Sequence, residues 1–395
     1  MTRKRVFIYV QHLLGIGHLR RAATLGIAAA ASGLDVTLAS GGFAVRGMDF
    51  GDVRFVQLPP LGAADTTFKS LVDDRGIAID DEWKSRRRDA LLAAWRNCDP
   101  HALVLELYPF GRRQMRFELL ALLDAAAGSS HRPVIVSSVR DVLGGGRKDP
   151  SRQDEMLDVF EKYFDRLMVH GDPSLIPFGR TFRHANRIAG KLHYTGYVVE
   201  PAAASLASSP GNRSAGAGEV LVSAGGGAVG NTLLETAIRA RRLTVLADRT
   251  WRVLAGVNVV QVELDGLSAL AAATGEGKVV VERARPDFAH MLGNCELSVS
   301  QGGYNTMMEL LQARARAVVV PFAGGAETEQ TMRTQLLADR GLVAMVEESS
   351  LAPDTLARAV DKVISRPRNS GEGIDLDGAT RSAQLLTKWV SGLRW

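Results

Sequence analysis

The sequence predicts an α/β protein built from two doubly wound, Rossmann-like domains facing a cleft. Three observations predict it. A β-rich run, Val6–Val10, leads through a glycine turn into an alanine-rich stretch and then a second apolar run. Near the middle of the chain the composition shifts to Ala, Ser, Gly and Pro. Directly afterwards the strand–turn–helix pattern starts again. At 395 residues the chain is long enough for two domains, each with its own core. The expected boundaries are 1–200 for the first domain, 201–218 for a linker, 219–378 for the second domain and 379–395 for a terminal helix.

The elements follow in order. Val6–Val10 reads as a strand buried in a parallel sheet. The turn Gly15-Ile-Gly-His18 comes next, then a helix from Leu19 to Ala31 that Gly33 stops. Val36–Ala39 is the second strand, so this is a right-handed βαβ unit. Val53–Leu58 is a further strand ended by Pro59-Pro60, and Ala63–Asp81 is polar and irregular, a mobile loop. Trp83–Cys98 has amphipathic helical spacing, Leu103–Leu107 is a strand, Arg113–Ala127 a helix, and Val134–Val139 and Arg166–Val169 are strands. After Pro201-Ala-Ala-Ala-Ser and Ser209-Pro-Gly-Asn the second half opens with Val220–Val222, the loop Ser223-Ala-Gly225-Gly226-Gly227 and a helix from Asn231 to Arg241. Apolar runs at Leu243–Leu246, Val257–Val262, Lys278–Val281, Leu297–Val299 and Ala317–Val320 read as its strands.

Composition excludes several classes. Apolar residues make up 46% and charged residues 23%, an ordinary globular balance. Two distant cysteines, Cys98 and Cys295, make neither a disulfide framework nor a metal spacing, which points to a reducing cytoplasm. No apolar run is long enough to span a bilayer, and no signal-peptide core follows Met1. The net charge of +5 suits an anionic ligand or a membrane surface. No basic stripe interleaved with aromatics supports nucleic acid as a partner. The clusters Arg86-Arg-Arg88 and Arg112-Arg113 with Arg116 read as solvated helix faces.

The stretch richest in chemistry is Ser298-Val-Ser-Gln-Gly302-Gly303-Tyr-Asn305-Thr306-Met-Met-Glu309. Its order is strand, glycine turn, helix start. Adjacent glycines let a ligand approach the backbone, and the amides and dipole at a helix start favour an anion. Glu309 stands inside the helix, within reach of hydroxyls attached to that anion. A second strand ends at Pro321, followed by a Gly-Gly loop and Glu327-Thr-Glu329-Gln330. Phosphates on the amides and a ribose on the carboxylate describe a nucleotide diphosphate site. An ordinary βα turn with a solvated glutamate is the alternative.

Gly302-Gly303-x-x-Thr306-x-x-Glu309, then Val318-Val-Val-Pro321, then Glu329-Gln330, resembles the donor-binding half of GT-B glycosyltransferases of the family 28 C-terminal type. Among these it is similar to the bacterial N-acetylglucosaminyltransferases that complete lipid II. The turn Gly15-x-Gly17-His18-Leu-Arg-Arg21 resembles a group of bacterial predicted glycosyltransferases, and equally the UDP-sugar hydrolases of the pseudaminic acid pathway. The resemblance implies a GT-B fold whose C-terminal helix crosses back to the first domain. It also implies that Glu309 holds the ribose of UDP and that Glu329 and Gln330 meet the donor sugar. Glu327 is expected to face the donor sugar with them, and because the family's usual stretch has an aspartate and often two glutamines there, the sugar stays open. The implied activity is inverting transfer from a UDP-linked donor without a metal or other cofactor, to an acceptor the sequence does not name. The implied place is the cytoplasm, with peripheral contact at the inner membrane face.

Competing nucleotide chemistries fit less well. A dinucleotide fingerprint needs a third glycine where Arg20 stands and an acidic residue where the second strand ends in Ser40-Gly41. No Gly-x-x-x-x-Gly-Lys-Ser/Thr or Gly-x-Ser-x-Gly occurs. Asp375-Leu-Asp377, the sole Asp-x-Asp, has no strand before it. A leaving diphosphate gains charge as the sugar–oxygen bond breaks, and preorganised amides are aimed at that charge. The helix dipole alone supplies roughly 0.3 to 1 kcal/mol, so N–H groups from Gly302 to Thr306 and a basic residue, Arg285, are expected to add to it. Gly225-Gly226-Gly227 offers a second amide-rich turn. In the first domain His18 is the candidate base, because an imidazole titrates near neutrality and can take a proton from an acceptor hydroxyl. Gly15, Gly17, Arg21, Arg140 and Asp141 are the remaining candidates on that side. His12 and His170 stand near strand ends without an assigned role. The readings left open are transferase, UDP-sugar hydrolase and a nucleotide-sugar binding protein without catalysis.

Overall fold

In the computed structural model the chain divides into two compact units, Met1–Val198 with Asp375–Trp395, and Val199–Ile374. The residues described are 3–13, 15–45, 47–64, 70–143, 149–200, 214–225, 230–256, 259–324, 328–368 and 373–392. Most of the expected linker, together with Gly226, Gly227 and Glu327, lies outside them.

The first unit is built on a seven-stranded parallel sheet. Its strands are β1 (Arg5–Val10), β2 (Asp35–Ser40), β3 (Arg54–Gln57), β6 (Ala102–Glu106), β7 (Val134–Arg140), β8 (Arg166–His170) and β9 (Leu192–Tyr194), in the order β3-β2-β1-β6-β7-β8-β9. Residues of β1 alternate between two cores, as a strand's period of two requires. Phe7 and Tyr9 face a cluster with Trp83, Leu91 and Leu119 from helices α2 (Asp81–Cys98) and α3 (Arg116–Ala127). Val6, Ile8 and Val10 face Leu19, Ala22, Leu386 and Val390 from α1 (Gly17–Ala31) and the C-terminal helix, which is α11 below. Burial on both faces is what makes these strands near-continuous apolar runs.

Two local features differ from expectation. Part of the irregular stretch after Leu58 is an antiparallel hairpin, β4 (Leu61–Ala63) with β5 (Leu71–Asp73). Arg87 is not on a solvated face: its guanidinium is fully buried against the Glu118 carboxylate at 2.8 Å, with Gln11 Oε1 at 2.7 Å and the Gly41 carbonyl at 3.0 Å. One further helix, α4 (Pro150–Tyr163), starts at Asp149, whose side chain accepts from the Ser151 amide.

The second unit has a six-stranded parallel sheet. Its strands are β10 (Val220–Ser223), β11 (Trp251–Ala255), β12 (Val279–Arg283), β13 (Leu297–Gln301), β14 (Ala317–Val320) and β15 (Ala344–Met345), in the order β12-β11-β10-β13-β14-β15. Helices α5 (Asn231–Ala240), α6 (Gln261–Thr274), α7 (Phe288–Asn294), α8 (Tyr304–Ala313), α9 (Glu329–Asp339) and α10 (Pro353–Ile364) connect and follow them. Leu234, Ile238, Leu356 and Val360 pack on Val220, Val222 and Val253. Among the described residues, two runs read as strands are not. Leu243 ends a 3-10 turn, and both it and Val245 are exposed. Val260 and Val262 are exposed where α6 begins. Their apolar side chains lack a covered face, and the strand between them is Trp251–Ala255.

The last helix, α11 (Gly378–Ser391), packs on α1 within the first unit. Its approach is fixed by backbone bonds: Tyr197 N–H donates to the Asp375 carbonyl at 2.7 Å, and Gly378 N–H to the Tyr197 carbonyl at 3.0 Å. A Cβ on Gly378 would stand 2.4 Å from the Gly196 carbonyl oxygen, so only glycine allows this contact. Among the described residues no helix is long and apolar enough to cross a membrane.

Candidate functional site

In each unit the strand order reverses once, and open α/β sheets commonly bind ligands beside the carboxyl ends of the strands at such a point. In the first unit the reversal falls between β1 and β6. The loop after β1 brings Gly15, Gly17 and His18; the end of β6 brings Glu106.

His18 is the second residue of α1, and its Nδ1 lies 2.6 Å from Glu106 Oε1. The guanidinium of Arg21, one turn further along α1, also donates to Oε1. It stands 3.2 Å from His18 Nδ1 as well. A guanidinium has no acceptor, so the arrangement that satisfies all three groups has Nδ1–H donating to the carboxylate. That tautomer leaves the lone pair on Nε2. Burial and the Arg112 charge hold the imidazole neutral, lowering its pKa to about 3 against the opposing pull of Glu106. Burial opposes the charge of Glu106, but Arg21 and His18 keep that carboxyl ionised well below the usual range. Glu106 was missed because it stands inside an apolar run. The signal that could have found it is a lone carboxylate at the end of a buried strand, which needs a cationic or protonated partner.

Arg140 ends β7 and Asp141 follows it. Asp141 is buried and accepts from the Tyr197 hydroxyl at 2.6 Å and the Val142 amide at 3.0 Å. His170 is fully buried at the end of β8, bridging Ser138 Oγ and Thr195 Oγ1 at 2.8 Å each. Burial, then the Arg21 charge, lowers its pKa to about 3. His12 is buried with Nε2 3.1 Å from the Phe43 carbonyl.

In the second unit the reversal falls between β10 and β13, and the two glycine turns follow these strands. After β10, the Gly225 amide donates to Ser223 Oγ at 3.2 Å. After β13, Gly303 caps α8 with extended backbone and no side-chain cap. Met307 is the amide that reaches back to the Gly303 carbonyl, at 2.9 Å. Of the amides ahead of it, contrary to expectation, those of Gly302 and Gly303 already donate to the Val320 and Gln301 carbonyls at 3.3 and 2.9 Å, and those of Tyr304, Asn305 and Thr306 lie outside the helix's own ladder. Asn305 and Glu309 are half-buried and Thr306 is buried. Gly302 is closely surrounded: a Cβ there would meet Thr334 Oγ1 at 2.9 Å, the Pro321 Cα at 3.3 Å and Gln330 Oε1 at 3.4 Å. The turn, the end of β14 and the start of α9 therefore converge. Gln330 Oε1 accepts from the Phe322 amide at 3.1 Å, and Glu329 pairs with Arg333 at 2.9 Å. Arg333 in turn lies 4.9 Å over the Tyr304 ring. Arg285 follows β12 at the edge of the sheet, where Asp287 at 2.7 Å holds its guanidinium.

Residues 273–375 match the family model described as Glycosyltransferase family 28 C-terminal domain. Over that stretch the chain is similar to this family. The family 28 stretch takes in Gly302, Gly303, Thr306, Glu309, Glu329 and Gln330. Its curated relatives include the UDP-N-acetylglucosamine--N-acetylmuramyl-(pentapeptide) pyrophosphoryl-undecaprenol N-acetylglucosamine transferase of Anaeromyxobacter sp. (strain K). That protein is 30% identical over 81 residues, which are 20% of this chain and 21% of the relative. The chain thus matches about a fifth of that relative's length. Over the whole length the fold is GT-B. The crystal structure of Acinetobacter baumannii MurG superposes with a TM-score of 0.61 at 15% identity, covering 98% of this chain and 99% of that one. CalG4, the calicheamicin glycosyltransferase, gives 0.57 at 15% identity over 99% and 95%.

Proposed function

We propose that this chain is a metal-independent inverting glycosyltransferase that moves a hexosyl group from a UDP-linked donor to an acceptor hydroxyl. The observation that carries the reading is His18, with Nδ1 tied to a buried carboxylate and Nε2 left as an acceptor. In this reading Nε2 takes the proton as the acceptor oxygen forms its bond to the anomeric carbon. The bond from that carbon to the diphosphate breaks, and UDP leaves. Glu106 stabilises the imidazolium as it forms, as a carboxylate does behind a general-base histidine. The second unit holds UDP in this scheme: diphosphate at the Tyr304, Asn305 and Thr306 amides, ribose at Glu309, donor sugar at Glu329 and Gln330.

The turn Gly15-x-Gly17-His18-x-x-Arg21 favours a second reading, hydrolysis of a UDP-sugar with water replacing the acceptor. The experiment that separates them incubates the full chain with a panel of nucleotide sugars, with and without candidate acceptors, and follows UDP and products by mass spectrometry. Slow UDP release that an acceptor accelerates supports transfer. Release at full rate in water alone rejects it in favour of hydrolysis.

A further inference from the structure

Helix α2 buries one stripe of side chains, Trp83, Arg87, Leu91, Trp95 and Cys98. Spacing by three and four places them on one face, and an arginine stands where the stripe calls for an apolar residue. Arg87 and Glu118 are 0% exposed and Gln11 1%. A buried ion pair is weak evidence for stability, because the desolvation it costs can exceed the attraction it gains. The directions of its bonds point to another role. Besides Glu118, the guanidinium donates to Gln11 Oε1 after β1 at 2.7 Å, to the Gly41 carbonyl after β2 at 3.0 Å and to the Pro59 carbonyl after β3. One side chain from α2 therefore holds three loops at the carboxyl ends of the strands.

The first of those loops is the one that leads to Gly15, Gly17 and His18. Gln11 passes the constraint along it. Its Nε2 donates to the His12 carbonyl at 2.7 Å and the Leu61 carbonyl at 3.1 Å, and its own carbonyl accepts from Arg112 Nε at 2.7 Å. Two residues on, the Leu13 carbonyl accepts from the Ala63 amide at 3.0 Å. Gly41 fits closely against this group. A Cβ there would stand 2.1 Å from both Arg87 Nη2 and Gln11 Oε1, so a side chain would push the two apart. A side-chain amide that donates twice and accepts from a buried guanidinium is held in one orientation.

We propose that Arg87 is a positioning residue: through Gln11 it fixes the course of the loop that brings His18 to Glu106. Glu118 holds the guanidinium by Nε and Nη2, at 2.8 and 3.0 Å, while Nη1 is left to the Gly41 and Pro59 carbonyls. The effect on turnover rests on the reading of His18 as the base; the placement itself is read without substrate.

The test is NMR of the full chain carrying isotope-labelled histidine, whose ring-nitrogen shifts report the tautomer and surroundings of each imidazole. His18→Ala and His170→Gln assign the two sets of signals. Gln11→Ala leaves the Arg87–Glu118 pair in place and cuts only its tie to the loop. Arg87→Met with Glu118→Gln removes both charges together, so that neither stays buried alone. In both variants the His18 signals are expected to shift or split away from the wild-type Nδ1–H form, with those of His170 on β8 unmoved. A merely structural pair leaves the His18 signals where they were, and that result in Gln11→Ala overturns the proposal whether or not the double variant folds. Movement of His170 as well marks general loosening and also overturns it. Turnover in the same variants is expected to fall roughly tenfold or more at unchanged UDP affinity, since misplacement by about 1 Å can cost on the order of 10²-fold. Displaced His18 signals with wild-type turnover support the positioning and reject His18 as the base, so the two failures are told apart.

Discussion

Nδ1 of His18 lies 2.6 Å from Oε1 of Glu106, 88 positions along the chain. The pair exists because β1 and β6 are neighbours in the sheet although the chain visits β2 to β5 between them. If Glu106 fixes the tautomer, Glu106→Gln lowers turnover while UDP affinity stays within twofold. General-base assistance is worth about 10²- to 10⁴-fold, so His18→Ala should lose a factor of that order. Turnover and UDP calorimetry, with the melting temperature recorded because Arg21 loses its partner, check this. Wild-type turnover in His18→Ala reduces the residue to a structural part of the helix start.

Glu309 is predicted to carry the ribose. Charge-assisted hydrogen bonds contribute about 1.5 to 3 kcal/mol each, so Glu309→Ala should weaken UDP binding roughly ten- to hundredfold. Unchanged calorimetric affinity would remove Glu309 from the site.

Activity should survive chelation. The amides ahead of Met307 and the α8 dipole are expected to meet the leaving diphosphate. Turnover measured in EDTA should equal that in magnesium or manganese. Activity that disappears and returns with metal would falsify this diphosphate assignment.

Stability should depend steeply on pH below neutrality. Burial, with the Arg112 charge for His18 and the Arg21 charge for His170, lowers both pKa values to about 3 in the folded chain. The unfolded value is near 6.5. Between about 3 and 6.5 the unfolded chain binds more protons, so stability is full above that window and lost as pH falls through it. Each imidazole contributes a slope of up to about 1.4 kcal/mol per pH unit. Urea denaturation at several pH values should show the slope, and His170→Gln should remove one proton's share. A variant with the wild-type slope would mean that His170 is protonated when folded.

Gly378→Ala places a methyl group against the Gly196 carbonyl. Overpacking of this kind costs about 1 to 3 kcal/mol, and here it strikes the backbone contact that seats α11. A lower urea midpoint is expected, and an unchanged one would show that the helix start shifts freely.

Much of this architecture was legible in the sequence. Parallel strands buried on both faces are apolar runs, and Val6–Val10, Val134–Val139 and Ala317–Val320 fall on strands for that reason. Leu243–Leu246 and Val257–Val262 misled because apolar content does not reveal whether a covered face exists. The Trp251–Ala255 strand was hidden by Arg252, whose guanidinium is accommodated by Glu219 and Glu282. At the candidate site the glycine turns were visible as local patterns. Glu106 was not, since its partners come from a helix after another strand. Arg87 looked like surface charge for the same reason: Glu118, the carboxylate that buries it, lies 31 positions along the chain.

The return of α11 to α1 makes the first unit discontinuous in the chain. During synthesis the ribosome releases the whole of the second unit before the helix that covers Leu19, Ala22 and Val6. Until then that apolar face stays uncovered on the nascent polypeptide, a surface that chaperones can hold. A fragment cut at residue 218 inherits the converse problem, carrying α11 without the partner on which its Leu386 and Val390 are buried.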